Sequence, residues 1–501
     1  MRPPLPCRIV AFGMAVAAGV STPGCVRREP PPPAAAIMRI GIGAPPQGTP
    51  NTGSRALINL LKDPWLSIKP DGRVGDRIAT EWKWDESGTV LRLKLRPNVF
   101  FHDGTPLTPE TGAASLRAVD TSNDNLSLRS VASFEPEGTD TIVLRLKERN
   151  GFVLADLGGV PVVRAGKADI GTGPYQIVRR NGLDATLTAF GRYYRGQPAL
   201  AGVDVVNYPT QRNAWSALMR GEIDMLYEVS RDSAEFVQAE TTVRTYSFPR
   251  AYYIPLVFNM RHPVLRNVEV RRAINEALDR TTLVRDGLRG QGAPADGPVW
   301  PQHWAYSPPP QPFVFSPGAA RARLDTAGFP LKPSPERRVP IRFGFKCMVF
   351  GNDSRFERLA VIAQKELADI GIDMRLEAVP LDTMGKRIQA GDFDAFLIEF
   401  SGRSLSRVYD FWRFRDGMMM NSGYRSADTV LDQLRASQTD TETRAAVAEL
   451  LRVLHDDPPA AFLAWQKTTR AVSSRFDVAY EADRDILSNL WMWRPAAVAS
   501  R

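Results

Sequence analysis

Residues 252–286 read YYIPLVFNMRHPVLRNVEVRRAINEALDRTTLVRD, and they set how the chain is organised. Their first part, 253–258, is a short apolar run with β-branched and aromatic members, which is typical of a buried strand. Polar residues and Pro263 end this run, and a helical repeat then places apolar side chains on one face: Val270, Ile274, Ala277 and Leu278. The charged side chains of this helix are expected mostly on its other faces: Arg271, Arg272, Glu276 and Arg280. We therefore expect the chain to leave one lobe and enter another here, with a ligand cleft beside the crossing.

The composition is that of an ordinary globular chain. With 501 residues, of which 43% are hydrophobic and 24% charged, the length alone predicts two to four domains. The formal net charge is +9, but the basic residues are scattered among acidic ones and form no Lys/Arg block. This distribution favours a solvated basic surface and disfavours a nucleic-acid partner.

The N-terminus has the pattern of an export signal. The run 9–20, IVAFGMAVAAGV, is apolar and uncharged, and it is too short to span a bilayer. The sequence Thr-Pro-Gly-Cys that ends at Cys25 resembles a bacterial lipobox, although Thr22 stands where lipoboxes usually carry Leu. We expect a signal peptide over 1–24, an acylated Cys25 and a Pro-rich tether over 25–36, with export without lipidation as the alternative. The protein is then expected to be periplasmic or extracytoplasmic, as a membrane-anchored lipoprotein.

Motifs for catalysis, metal binding or cofactor binding are missing from the sequence, which carries no His-Glu-x-x-His, Gly-x-Ser-x-Gly or phosphate loop. Of its four histidines, His102 lies in an Asp-Gly turn and is interpreted as structural. With Cys25 acylated, Cys347 would be the only thiol left, so no disulfide is expected within the chain. Its place at the end of a predicted strand favours a buried thiol over a nucleophile. We expect no enzyme activity, no cofactor and no metal.

A strand, hairpin and helix are predicted early in the chain. Trp82 and Trp84 share one face of a strand, residues 87–88 form a turn, and apolar residues carry the return strand. The stretch 101–108, FHDGTPLT, then leads to Thr108, which is expected to cap a helix that begins at Pro109.

This stretch resembles the signature of the family 5 extracellular solute-binding proteins, the peptide, nickel and oligosaccharide receptors of ABC importers. Further blocks of that family follow in the same order: GTGPY at 171–175, YYRG at 193–196, GEID at 221–224, the Phe-Asn and Val-Arg-x-Ala-Ile pattern of 258–280, GDFD at 391–394 and NSGY at 421–424. The resemblance therefore covers nearly the whole chain after the tether.

The resemblance implies an α/β fold, a two-lobe periplasmic binding protein that is type II-like and carries an extra subdomain inserted in lobe I. The expected boundaries are 37–55, 170–258 and 466–501 for lobe I, 56–169 for the inserted subdomain and 259–465 for lobe II. The residues themselves are compatible, because strand-like 341–347, an amphipathic helix over 359–370 and strand-like 374–379 predict a βαβ unit.

The stretch 395–424 is the candidate ligand site. Phe396, Leu397 and Ile398 are predicted as core strand, and a loop should follow at the carboxyl end, where ligands bind in open α/β sheets. That predicted loop carries polar and aromatic candidates: Glu399, Ser401, Arg403, Tyr409 and Trp412. A second interpretation is that Trp412 and Met418 to Met420 only pack the lobe.

For Arg403 the resemblance implies a specific role. Peptide receptors of the family hold the peptide amino terminus with an Asp just after this strand, and Arg403 stands at about that place, with Phe400 and Ser401 facing the ligand beside it. A cation there favours a carboxylate or phosphate. Asp410 would serve instead if the alignment is shifted, and Tyr252 is expected at the cleft wall.

The implied function is that of the substrate-binding component of an ABC importer. It would capture an oligopeptide or peptide-like solute by hinge closure about strands 252–260 and 464–471, and deliver it, as a monomer, to a membrane permease. The alternative is a ligand sensor or assembly lipoprotein on the same fold without transport. A secreted enzyme is disfavoured by the missing motifs, and the sequence does not name the solute.

Overall fold

The computed structural model describes residues 36–44, 52–121, 126–230, 234–309, 311–334, 339–351, 353–402, 404–414 and 420–497. The expected signal peptide, Cys25 and Arg403 lie outside these residues.

The strands, in chain order, are β1 Ile37–Gly43, β2 Ser67–Ile68, β3 Val74–Gly75, β4 Ala79–Trp84, β5 Val90–Leu95, β6 Val131–Glu137, β7 Thr141–Leu146, β8 Tyr175–Asn181, β9 Asp184–Ala189, β10 Gly202–Tyr208, β11 Met225–Leu226, β12 Val243–Phe258, β13 Gly292–Pro294, β14 Phe343–Phe350, β15 Ile372–Val379, β16 Ala395–Leu397, β17 Phe400–Ser401, β18 Ala460–Ser473, β19 Phe476–Asp477 and β20 Arg494–Pro495.

The helices are α1 Thr52–Leu61, α2 Pro109–Arg117, α3 Phe152–Asp156, α4 Gln211–Met219, α5 Ala234–Ala239, α6 Val268–Ala277, α7 Arg280–Thr282, α8 Pro317–Thr326, α9 Ser354–Ala368, α10 Leu381–Ala390, α11 Leu405–Trp412, α12 Asp428–Ala436 and α13 Asp440–Asp456, with 3₁₀ turns at Leu126–Ser130 and Ile486–Met492 and a π turn at Leu283–Gly287. None of the helices in the described ranges combines the length and apolarity needed to cross a membrane.

One large sheet runs through the molecule in the strand order β15-β14-β16-β12-β18-β11-β1-β10-β9-β8, with β13 and β17 paired at its side. At its centre, β12 and β18 form a long antiparallel pair that runs from Val243 opposite Ser473 to Val257 opposite Ala460. The strand predicted over 253–258 is confirmed. It is the second part of a longer strand that joins the two halves of the sheet.

Each half of the sheet has parallel pairs and a separate apolar core. In the first half, β1 lies between β10 and β11 and is parallel to both. In the second half, β14 is parallel to β15 and β16, and α9 connects β14 to β15. The βαβ unit expected from the sequence is therefore confirmed.

A separate four-stranded antiparallel sheet, in the order β4-β5-β7-β6, lies within residues 56–169. Trp65 and Phe101 are fully buried in its own core. The helix start predicted at Thr108 is confirmed, because its hydroxyl accepts a hydrogen bond from the backbone N–H of Thr111 and Pro109 opens α2. His102 is structural, since Nδ1 accepts from the Gly171 N–H at 3.3 Å and Nε2 lies 3.1 Å from the Gly173 carbonyl oxygen.

The crossing helix α6 buries Val270, Ile274 and Ala277 as predicted. The expectation that Arg271 and Arg280 lie on the outer faces is wrong, because both side chains are buried. Their guanidinium groups satisfy carbonyl oxygens near β18 that would otherwise lose their hydrogen bonds in the core. Nε of Arg271 donates to the Pro458 oxygen at 2.8 Å, and Nε of Arg280 donates to the Phe462 oxygen at 2.7 Å. Burial lowers the pKa of Arg280 to about 10, so the group remains charged at neutral pH.

The thiol of Cys347 is fully buried on β14, and burial raises its pKa, as expected of a packing residue. Within the described ranges, no group of three or more His, Cys, Asp or Glu side chains is placed to hold a metal ion.

Candidate functional site

The candidate site lies where β12 passes from one half of the sheet to the other. The pairing of β12 with β18 shifts register between Arg250 and Tyr253, so the strand bulges there. The short strand β17 joins at the bulge, with Ser401 opposite Tyr252 and Phe400 opposite Tyr253. Of the residues predicted to bind ligand, the structure thus brings Tyr252, Phe400 and Ser401 together.

Glu399, the residue before β17, is the centre of a charged group. Its carboxylate accepts a hydrogen bond from Nε2 of Gln466 at 2.5 Å. Arg250 approaches the same carboxylate at 3.3 Å and Arg355 at 3.4 Å. We call Arg250, Asp353, Arg355, Glu399 and Gln466 the Glu399 cluster. Its members come from β12, from the start of α9, from the end of β16 and from β18, so the cluster spans the crossing.

The opposite charges of the cluster keep each other ionised. Burial alone would raise the pKa of Glu399, but Arg250 and Arg355 together hold it below the usual range, so the carboxylate is ionised at neutral pH. Burial opposes the charge of Arg355 as well, and Glu399 and Asp353 outweigh it and raise that pKa. Arg355 donates to Asp353 Oδ2 at 2.5 Å and to Gln466 Oε1 at 2.7 Å. These hydrogen bonds hold the Arg355 side chain in place at the surface of the candidate site.

Arg250 differs from Arg355 in how many of its donors are used. In the described part of the chain, its side chain contacts the Glu399 carboxylate and lies over the ring of Tyr252, with 4.3 Å from Cζ to the ring centroid. A guanidinium carries five N–H donors in a planar fork that matches a carboxylate. Because the side chain is 24% exposed, a solute can reach the remaining donors. Arg250 is thus the group in the cluster best placed to bind an anionic part of a ligand.

The structure places Tyr409 and Trp412 away from this surface. The loop predicted for them is wrong, because they lie on α11, whose apolar side chains recur at helical spacing and bury one face. Trp412 Nε1 donates to the Tyr253 hydroxyl at 2.9 Å, and the Tyr409 hydroxyl donates to Asp432 Oδ1 at 3.0 Å. Both side chains are buried, and they pack in the core next to the crossing. Phe400 is also largely buried, with its ring centroid 4.5 Å from that of Phe411.

Sequence reasoning did not find Arg250, Arg355 or Gln466. A signal existed for Gln466, since a Gln that follows the apolar run 460–465 of a central strand needs a buried polar partner. Asp353 likewise caps α9 by accepting from the Arg355 N–H at 2.9 Å, which fixes the first turn of the helix in the cluster. Nothing in the sequence pattern linked these positions to residue 399.

A sheet shared by two halves, with a polar cluster where the chain crosses between them, defines a two-lobe ligand-binding protein. Residues 73–421 match the sequence family described as bacterial extracellular solute-binding proteins, family 5 Middle. The chain belongs to the family 5 bacterial extracellular solute-binding proteins, so its role is to bind a solute. The family assignment made from the motifs is confirmed, as is the α/β two-lobe fold class.

Known proteins of several kinds resemble the chain. The glutathione-binding protein GsiB of Escherichia coli strain K12 is 25% identical over 476 residues, which cover 90% of this chain and 86% of GsiB. The structure of NikA from Brucella suis in complex with Fe(III)-EDTA has a TM-score of 0.80 at 21% identity, covering 91% of this chain and 100% of NikA. The oligopeptide-binding protein AppA from Bacillus subtilis, in complex with a nonapeptide, has a TM-score of 0.73 at 20% identity, with coverage of 92% and 99%. The two structures show the shared fold.

Proposed function

We propose that this protein is the substrate-binding component of an ABC importer and captures an oligopeptide or peptide-like solute with a free carboxylate. The observation that carries the proposal is the Arg250 guanidinium, which lies over Tyr252 beside the ionised Glu399 and, among the residues that the structure describes, makes few enough contacts to keep donors available. A bidentate contact between guanidinium and carboxylate is strong and directional. The aromatic and amide groups next to it are typical of a pocket that fixes a small solute.

The other polar groups of the surface fit a solute with both signs of charge. Glu399 pairs with both arginines, Asp353 pairs with Arg355, and the charge of Glu228 also acts on Arg355. A solute ammonium group would be favoured on the carboxylate side and its carboxylate at Arg250. Arg403 remains a further predicted anchor, with Ser401 as a hydrogen-bonding neighbour.

The proposed mechanism is hinge closure. Lobe I would be formed by 37–55, 170–258 and 466–501, lobe II by 259–465, and the subdomain by 56–169. The hinge strands are predicted over 252–260 and 464–471, and most of these residues lie in β12 and β18. A solute that contacts both lobes would shift the population toward the closed form. The closed monomer, held at the membrane through Cys25, would pass the solute to a permease without catalysing a reaction.

The solutes bound by relatives guide the choice of probes. GsiB is a glutathione-binding protein, AppA was solved with a nonapeptide and NikA with a metal chelate. Mass spectrometry of what copurifies with the native protein should find a compound with a carboxylate. Calorimetry with glutathione, a nonapeptide and Fe(III)-EDTA then compares the three classes directly.

The Arg250→Gln variant tests the anchor. We expect it to weaken binding of the copurified solute about 10- to 100-fold, because a charge-assisted bidentate contact is lost. The matched control is Arg244→Gln, which changes an exposed arginine on the same strand. Equal affinity of the wild type and Arg250→Gln would contradict the anchoring role, and a copurified solute without any carboxylate would contradict the proposed ligand class.

A further inference from the structure

The inserted subdomain joins lobe I through its two chain connections and through ring contacts, such as that of Arg192 with Phe100, where Cζ lies 3.5 Å from the ring centroid. Its chain enters and leaves side by side, where the Gly173 N–H donates to the Leu61 oxygen at 2.9 Å. A Cβ atom at Gly171 would lie 2.2 Å from that oxygen, so the two segments approach as closely as glycine permits. The subdomain therefore follows lobe I wherever lobe I moves.

On its opposite side, residues 148–156 of the subdomain, which we call the docking segment, contact helices of lobe II. Phe152 is 6% exposed and belongs to the apolar core that contains β12 and β18. Its ring lies edge-on to Tyr409 of α11, with 5.6 Å between centroids. The Gly151 N–H donates to the Arg435 oxygen at 2.8 Å, and a Cβ at Gly151 would overlap the Ser437 oxygen. One aromatic side chain of the subdomain is thus inserted into the other lobe.

Polar contacts surround this aromatic side chain. Glu148 pairs with Arg435 at 2.5 Å and Arg149 with Glu442 at 2.9 Å. The Asp156 carboxylate accepts from the Ser406 hydroxyl of α11 at 2.5 Å. The two ion pairs are partly exposed, and such pairs contribute little each. These ion pairs orient the docking segment on lobe II but stabilise the contact only weakly.

The packing beside the docking segment is incomplete. A cavity of about 190 Å³ lies between the subdomain and lobe II, lined in part by Asn150, Ser406, Tyr409 and Arg435. Small, partly polar interfaces between domains are typical of domains that move relative to each other.

We propose that the docking segment is a latch, which leaves lobe II when the lobes open and returns when they close. Because the subdomain follows lobe I, rotation of lobe II about the β12–β18 crossing has to separate α11–α13 from this segment. The latch favours the closed form in the absence of solute, and it sets solute affinity from outside the ligand site. The inference rests on the lobe closure proposed above.

The test uses the full chain without added solute. Phe152→Ala removes the inserted side chain, and Phe134→Ala is the matched control, since Phe134 packs within the subdomain's own core. X-ray scattering reports the separation of the lobes, and hydrogen exchange at the Gly151 amide reports release of the segment. We expect Phe152→Ala to raise the open-to-closed ratio at least about tenfold, with a larger radius of gyration and faster exchange. Phe134→Ala should leave both close to the wild type.

If Phe152→Ala fails to fold, exchanging the charges of the Glu148–Arg435 ion pair tests the latch instead. Glu148→Arg and Arg435→Glu should each speed exchange at Gly151 about threefold, and the double variant should restore the wild-type rate. Faster exchange in Phe152→Ala without any change in scattering would overturn the latch, because the contact would then be local. Exchange in the single charge variants at the wild-type rate would also overturn it.

Failure of the latch and failure of the proposed function give different results. If the wild type does not contract when its copurified solute is added, lobe closure itself is wrong. If the wild type contracts and the latch variants scatter like the wild type without solute, only the latch is wrong.

Discussion

Glu399 is a partly buried carboxylate whose ionisation depends on two arginines, and this makes its contribution to stability pH-dependent. Its folded pKa lies below the unfolded value of about 4.3. The stabilisation is therefore present above about pH 4.3 and is lost as the pH falls through the folded pKa. We expect Glu399→Gln to be about 1–2 kcal/mol less stable than the wild type at pH 7, because two partly buried guanidinium groups lose their charged partner.

Urea unfolding of both proteins between pH 3 and pH 7 measures this difference. The difference in the free energy of unfolding between the wild type and Glu399→Gln should shrink as the pH approaches 3. Glu357→Gln, an exposed change on α9, serves as the control and should cost less than about 0.5 kcal/mol at pH 7. A Glu399→Gln difference that stays constant from pH 3 to pH 7 would show that the ionised carboxylate is not what stabilises the cluster.

Arg271 and Arg272 are neighbours in sequence with different surroundings. Arg271 is 2% exposed and donates to the carbonyl oxygens of Pro458 and Leu265 at 2.8 and 2.7 Å. In Arg271→Met those oxygens lose their donors inside the core, so we expect a loss of about 2–4 kcal/mol in the free energy of unfolding. Arg272→Met should cost about 1 kcal/mol or less, since that side chain is 29% exposed and water replaces its partners. Equal losses from the two substitutions in denaturant titrations would contradict this assignment.

At the scale of elements, the sequence predicted the apolar strands and amphipathic helices well. α2 begins at Pro109 as expected, and the strand predicted over 374–379 lies within β15 and ends at the same residue. The first part of β12, from Val243 to Tyr252, was missed because its side chains are polar and half-buried and their partner β18 lies more than 200 residues later. α11 was read as a loop because its start lies among Gly and Ser residues. Pairing and burial that arise only in the folded chain explain both misses.

The contact between α11 and β12 rests on one hydrogen bond in an apolar environment. Trp412 Nε1 donates to the Tyr253 hydroxyl at 2.9 Å, and both side chains are buried. Trp412→Phe leaves the hydroxyl of Tyr253 without its donor, and Tyr253→Phe leaves the indole N–H without its acceptor. Because unpaired buried polar groups are costly, we expect each single variant to lose about 1–3 kcal/mol.

A double-mutant cycle separates this hydrogen bond from packing. The variant with both substitutions should lose less than the sum of the single losses, by about 1 kcal/mol, because no polar group is then left unpaired. Thermal unfolding of the four proteins gives the coupling. Strict additivity would mean that packing of the indole, rather than its hydrogen bond, connects the helix to the strand.

At the scale of the whole molecule, motifs spread along the chain identified the family and the two-lobe fold, whereas the polar cluster at the crossing was only partly predicted. The structure brings Tyr252, Glu399 and Ser401 together there, and their contact with a solute stays a prediction. Arg250 and Arg355 were not found, because they lie 149 and 44 positions from Glu399 and no alternation in the sequence records their contact. A family motif fixes how strands and helices are arranged. The side chains that meet across the crossing depend on the fold, so no family motif records them.

The proposed membrane anchor depends on lipidation of Cys25, which a pair of cysteine variants can test. Acylation at Cys25 would anchor the chain, whereas the thiol of Cys347 is buried on β14 and cannot take that role. We expect the wild type in the membrane fraction with the added mass of a diacylglyceryl group, and Cys25→Ser in the soluble fraction without it. Cys347→Ser, the control, should stay in the membrane fraction and keep the added mass. Wild-type protein recovered in the soluble fraction with a free cysteine at 25, or an unanchored Cys347→Ser, would contradict the anchor and favour export of an unlipidated chain.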